Sequence, residues 1–127
     1  MTDTTATGDE LNGLRILVVE DEAAISLLLE DMLLDFGCEV VGPAARLASA
    51  LELAANEALD LAILDVNLKG ENVWPVATKL REKNVPFVIA TGGHVDPPPP
   101  EFNDAPVIEK PYTVDRVTPA IEAAFGA

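Results

Sequence analysis

The run Leu61-Ala62-Ile63-Leu64-Asp65 constrains this chain more than any other stretch. Four consecutive apolar residues leave no polar face, so a strand built from them is buried on both sides. Such strands belong to parallel sheets whose two faces are covered by helices. The run closes on a carboxylate, and Asn67, Lys69 and Gly70 follow as turn signals. In an open α/β sheet, chemistry collects at the carboxyl ends of the strands, where Asp65 stands.

The rest of the chain repeats this pattern. Strands are expected at Arg15–Val19, at Glu39–Gly42 closed by Pro43, at Asp60–Asp65, at Phe87–Ala90 ending on Thr91, and at Pro106–Glu109. Ile25, Leu28, Leu29, Met32, Leu33 and Phe36 recur at spacings of three and four, which places them on one face of a helix stopped by Gly37. Ala44–Asn56 reads as a second helix and Asn67–Asn72 as loop. Val73, Val76, Ala77 and Leu80 mark a third helix, with Pro75 confined to its first turn. Thr113 is expected to cap a last helix carrying Val114, Val117, Ile121 and Phe125. Pro119 should kink that helix, or delay it until a cap at Thr118. The prolines 97–100 exclude an ordinary helix between the fourth and fifth strands. Alternation of this kind implies right-handed parallel crossovers.

The chain's 127 residues suffice for one domain with one core. We read residues 13–127 as that domain and Met1–Asn12 as a disordered tail. Eight Lys and Arg against 22 Asp and Glu give a formal charge of −14, which argues against nucleic acid or an anionic membrane as direct partner. No apolar run approaches the roughly 20 residues of a spanning helix, and the N-terminus lacks the basic start and apolar stretch of a signal peptide. A single cysteine, Cys38, rules out an internal disulfide and points to a reducing cytoplasm, with the residue itself a small buried hydrophobe. His94 is expected to be an exposed loop residue. Trp74 either packs in the core or anchors a partner.

If the sheet is parallel, one rim receives Glu20 and Asp21 from the first strand, Asp65 from the third, Thr91 from the fourth and Lys110 from the fifth. Carboxylates in contact repel, and a hard divalent cation offsets that repulsion. Mg²⁺ is usually held by one or two carboxylates together with phosphate oxygens. A lysine supplies a compact positive charge for a further anionic oxygen, and a threonine supplies a hydroxyl donor. A carboxylate nucleophile, a metal cradle, a cation and a hydroxyl are what phosphoryl transfer to an aspartate requires.

The segments Leu17-Val18-Val19-Glu20-Asp21-Glu22, Leu64-Asp65-Val66-Asn67, Ala90-Thr91-Gly92 and Lys110-Pro111-Tyr112 resemble the motifs of a CheY-like response regulator receiver domain over roughly Leu14 to Phe125. The resemblance implies a flavodoxin-like (βα)5 doubly wound parallel sheet of strand order 2-1-3-4-5. It implies that Asp65 accepts a phosphoryl group from a sensor histidine kinase. Asp21, Asp65 and the backbone carbonyl of Asn67 would bind Mg²⁺ directly, and Glu20 through water. Lys110 would contact the phosphoryl group, Thr91 would swing toward it, and the bond to Pro111 would be cis. Pro86 to Gly93, with the Asn67–Val73 loop, also resembles the FATGUY group of single-domain regulators of alphaproteobacteria. That likeness implies a kinase of the HWE/HisKA_2 type, a downstream protein partner and a monomer or weak homodimer, and no enzyme activity.

Two positions depart from the receiver pattern. Val107 occupies the place, three residues before Lys110, where a switch aromatic is usual. The proline run leaves the fourth helix short, irregular or missing, so the segment from Gly92 to Asp104 becomes the expected moving part. Two rivals accompany this reading: a receiver-like interaction module that never takes phosphate, and an aspartate-nucleophile phosphohydrolase. The second needs an acid two residues beyond the nucleophile, where this chain has Asn67.

Overall fold

The computed structural model describes residues 12–68, 70–92 and 98–126. The expectations for the tail up to residue 11 and for His94 lie outside the described residues. Five strands form one parallel sheet: β1 (Arg15–Val19), β2 (Glu39–Ala44), β3 (Leu61–Asp65), β6 (Phe87–Thr91) and β7 (Val107–Glu109), in the order β2-β1-β3-β6-β7. Counted within this sheet alone, that is the expected order 2-1-3-4-5. Among the described residues, three α-helices lie between sheet strands, α1 (Ala23–Asp35), α2 (Leu47–Asn56) and α3 (Trp74–Glu82), and a fourth, α4 (Val114–Gly126), follows β7.

Side chains alternate across a strand, and the core divides accordingly. Leu17, Val19, Leu64 and Ile89 face Ala50, Ala54, Val76 and Leu80 of α2 and α3. Ile16, Val18, Ile63 and Val88 face Leu29, Leu33, Val117 and Ile121 of α1 and α4. Every residue of β3 is buried, which is why its sequence shows no polar alternation. Cys38 is buried in the second cluster, and burial pushes its thiol pKa up.

The strand ends are brought level by register. Val19 pairs with Leu64, Leu64 with Ile89, Asp65 with Ala90, and Thr91 with Glu109. Glu20, Asp65, Thr91 and Lys110 therefore emerge at one rim.

Several local expectations are corrected. The stripe on α1 is narrower than its spacing suggests: Leu29 and Leu33 are fully buried, whereas Leu28 is 44% exposed. Leu28 lies about 100° around the helix from Leu29, at the shoulder of the packed face. Val114 and Phe125 of α4 also project outward. The Asn67–Asn72 loop contains a small antiparallel hairpin, β4 (Asn67–Leu68) with β5 (Glu71–Asn72), turned at Gly70 with φ +88°. The third helix begins at Trp74 with Pro75 in its first turn, where the missing N–H would be unpaired in any case.

The last helix begins at Val114 without delay. The Thr113 hydroxyl is buried without a hydrogen-bond partner, so the expected side-chain cap is not made; the Thr113 carbonyl instead accepts from Arg116 and Val117. The alternative cap at Thr118 is not made either, since its hydroxyl is likewise unpartnered. Pro119 sits inside the helix on its exposed side, where water can serve the carbonyl that loses its donor.

Among the described residues, the connection from β6 to β7 holds no α-helix, only a 3₁₀ turn at Pro100–Phe102. Phe102 is buried, stacks on Trp74 with ring centroids 5.6 Å apart and meets the edge of Phe87. The Arg81 guanidinium lies over Phe87 and Phe102, and it donates to the Glu101 carbonyl and the Asp104 carboxylate. Trp74 is thus a packing residue, half-buried against the core.

β2 runs past Gly42, through a cis Gly42–Pro43 peptide, to Ala44. The register against β1 slips by one residue there, since Leu17 pairs with Val41 but Val19 with Ala44. Gly42 has φ +97°, and a Cβ there would meet the Ala44 nitrogen at 2.9 Å and the Val18 carbonyl oxygen at 3.1 Å. Gly70 shares the positive φ but has nothing within 4 Å of that position. Gly70→Ala should therefore lose about 1 kcal/mol of unfolding free energy in urea, and Gly42→Ala at least about 2 kcal/mol. Equal losses would show that backbone conformation alone governs both positions.

Candidate functional site

The site is built from the strand ends inward. Glu20 follows β1, and its N–H donates to the Ala44 carbonyl at 3.0 Å, which ties it to the bulged end of β2. Its side chain is buried and fully engaged. Oε2 accepts from the Glu22 N–H at 3.1 Å. Oε1 accepts from Lys110 Nζ at 3.1 Å and from the Tyr112 hydroxyl at 3.4 Å. Lys110 Nζ also lies 3.3 Å from Asp65 Oδ2, so one ammonium is shared between two buried carboxylates.

Glu20, half-buried Asp21 and Asp65 each offer an oxygen, all within 4.8 Å of one another. Among the described residues, three carboxyl groups against this one ammonium leave surplus negative charge at the rim. Oxygen donors alone, clustered at this separation, fit a hard divalent cation rather than a soft one. Asn67 opens β4 two residues beyond Asp65, where its backbone borders the same rim.

Lys110 is held from both ends. Its N–H donates to the Thr91 carbonyl at 2.8 Å, which docks the residue after β7 onto the end of β6. Its stem passes over Gly92, where a Cβ would stand 3.2 Å from Lys110 Cε. The absence of a side chain at Gly92 leaves the space that this stem occupies. The following peptide, Lys110–Pro111, is cis. Desolvation pulls the Lys110 pKa down, but the Glu20 hydrogen bond and the charges of Asp65 and Glu20 outweigh it, and the net shift is upward. Thr91 is half-buried at the end of β6, next to the residue paired with Asp65. Val107 is 54% exposed, so no ring stands between Thr91 and the solvent-facing side of β7 at that position.

The structure thus brings Glu20, Asp21, Asp65 and Lys110 into one cluster, with Thr91 at its edge. It adds one residue to which the sequence reading gave no role. Tyr112 is 1% exposed, and its hydroxyl points at Glu20. A hydroxyl-bearing ring directly after Lys110-Pro111 was the available signal, but its partner lies 92 positions earlier in the chain.

A doubly wound parallel sheet with three acids and a lysine at its carboxyl rim defines a receiver-type α/β protein. The profile of the response regulator receiver domain matches residues 16–122, and the chain belongs to that family. It is 33% identical over 128 residues to the transcriptional regulatory protein PdtaR of Mycobacterium tuberculosis, an alignment covering 98% of this chain and 62% of that one. The chain thus spans about three fifths of the length of that relative. The solution structure of SdrG from Sphingomonas melonis Fr1 is similar at a TM-score of 0.81 and 40% identity, covering 95% of this chain and 99% of that one. The BeF3-activated conformation of SdrG is similar at 0.73 and 43% identity, covering 87% and 96%. A chain from the complex of histidine kinase ThkA with response regulator protein TrrA matches at 0.72 and 26% identity, covering 86% and 96%.

The charge arrangement has a signed consequence for the metal-free protein. Asp65→Asn removes one of the mutually repelling groups and should raise the unfolding free energy in EDTA by about 1 kcal/mol. Lys110→Met leaves buried Glu20 and Asp65 without their shared cation and should lower it by roughly 2–4 kcal/mol. Urea unfolding of both variants checks the pair of signs, and a loss in both would mean that repulsion does not dominate the cluster.

Proposed function

We propose that Asp65 is the phosphoacceptor of a Mg²⁺-dependent, cytoplasmic single-domain response regulator that signals through phosphorylation-dependent protein contacts. The observation that carries this reading is the Lys110 ammonium shared between Glu20 and Asp65, with the Asp21 carboxylate in the same cluster. The donor is a phosphohistidine of a sensor histidine kinase, the class of partner present in the ThkA–TrrA complex. The likeness to SdrG, which has a BeF3-activated conformation, supports a phosphoryl group as the activating ligand. A kinase of the HWE/HisKA_2 type and a monomer or weak homodimer complete the proposal.

In this mechanism an Asp65 oxygen attacks phosphorus, the P–N bond to the histidine breaks, and its electron pair returns to the imidazole. Asp21, Asp65 and the Asn67 backbone carbonyl would hold Mg²⁺ directly and Glu20 through a water. Bound there, the ion neutralises charge on the transferred group. Lys110 moves from Asp65 onto a phosphoryl oxygen, and the Thr91 hydroxyl donates to another. The product carries an added charge of about −1.5 to −2 at an already acidic rim, so these donors decide whether it persists.

Incubation with a small acyl phosphate and Mg²⁺ should add the mass of one phosphoryl group to the protein, and Asp65→Ala should add none. An unmodified wild-type protein would favour the interaction module that keeps the fold without taking phosphate. Sustained turnover of phosphate esters would favour a phosphohydrolase. Separately, millimolar Mg²⁺ should raise the melting temperature by a few degrees, since it binds only the folded site, and Asp21→Asn should abolish the gain. Equal gains in both proteins would place the ion elsewhere.

A further inference from the structure

Resting on the phosphoacceptor reading of this site, we propose that Tyr112 is a positioning residue. Its hydroxyl is the reserve donor that keeps Glu20 in place once Lys110 has left it for the phosphoryl group on Asp65.

The argument is a count of donors on one buried carboxylate. Glu20 is 2% exposed, so a donor that its Oε1 loses can be replaced only from within the site and not by bulk solvent. Oε2 is committed to the Glu22 N–H at the start of α1. Oε1 has two claimants, Lys110 Nζ at 3.1 Å and the Tyr112 hydroxyl at 3.4 Å. The same ammonium also lies 3.3 Å from Asp65 Oδ2, so it is shared between the two carboxylates. A phosphoryl oxygen on Asp65 would draw it further and strip Oε1 of its charged donor. The tyrosine hydroxyl then remains as the side-chain donor to that oxygen.

The placement of the ring suits this task. Tyr112 is 1% exposed and packs in the core cluster with Ile16, Val18, Ile63 and Ile108, so its hydroxyl is aimed by the core. Burial and the charges of Glu20 and Asp65 raise its pKa, which keeps the proton on the phenol as a donor at any neutral pH. The 3.4 Å separation is long for a hydroxyl donor, as expected while Lys110 holds the same oxygen, and it has room to shorten when the lysine departs. A phenylalanine would fill the same volume and supply no donor. The hydroxyl is therefore redundant in the resting site and required in the loaded one.

Tyr112→Phe separates these states. In metal-free buffer its melting temperature should equal that of the wild type. In Mg²⁺, its affinity for beryllofluoride, measured by calorimetry, should be about tenfold to hundredfold weaker, the size of one hydrogen bond to a charged group. In a Lys110→Met background the same substitution should lower metal-free stability, because the lysine no longer covers for the hydroxyl. Equal beryllofluoride affinities, or purely additive effects in the double variant, would overturn the inference and leave the phosphoacceptor reading standing. A lower metal-free melting temperature in Tyr112→Phe alone would mark an ordinary packing role and overturn it too. Failure of the wild-type protein to bind beryllofluoride would overturn both.

Discussion

The arrangement depends on one shared cation. Glu20 and Asp65 are both nearly buried, and each lies within 3.3 Å of the Lys110 ammonium. Unit charges about 4 Å apart interact by roughly 4 kcal/mol at the effective dielectric of a protein surface, so the cluster is unfavourable unless something positive holds it. A single ammonium offsets part of that repulsion and leaves the rest for an incoming cation. The sheet supplies the rigidity that keeps the acids from moving apart. β3 is buried along its whole length, Glu20 is pinned by its N–H to Ala44, and Lys110 by its N–H to Thr91.

Among the described residues, the segment after β6 holds no α-helix; short backbone turns and side-chain contacts fix it instead. Phe102 fills the space beside Trp74 and Phe87, and Arg81 bridges from α3 to Glu101 and Asp104. Because Arg81 and Trp74 both belong to α3, the connection leans on that helix.

Much of this was legible in the sequence. The apolar runs at Arg15–Val19 and Leu61–Asp65 pointed to buried strands, and on the assumption of a parallel sheet they carried Glu20, Asp65, Thr91 and Lys110 to one rim. What stayed hidden were features set by neighbours distant in sequence. Leu28 obeys the helical spacing but lies at the edge of the contact that α1 makes with the sheet. The hairpin at Asn67–Leu68 and Glu71–Asn72 has strands too short to show alternation. Pro119 was expected to disturb α4, but it falls on the exposed side, where water can satisfy the backbone. Thr113 has the right chemistry for a cap and does not make one, since its hydroxyl is buried away from the helix donors. Tyr112 was visible as part of a motif, but its significance rests on a contact with Glu20 that no local pattern encodes.

Receiver domains are signalling modules. The Asp65 carboxylate, the Lys110 ammonium and the Thr91 hydroxyl stand at the ends of different strands, so under the proposed function occupation of Asp65 would change the partners of several elements at once. The account stands or falls on where the phosphoryl group goes. Treatment with an acyl phosphate and Mg²⁺, then borohydride reduction and peptide mapping, converts an aspartyl phosphate to homoserine and so marks the acceptor. The account predicts homoserine at position 65 and at no other acid of the cluster. Homoserine at position 20 or 21, or a labelled residue outside the rim, would contradict it.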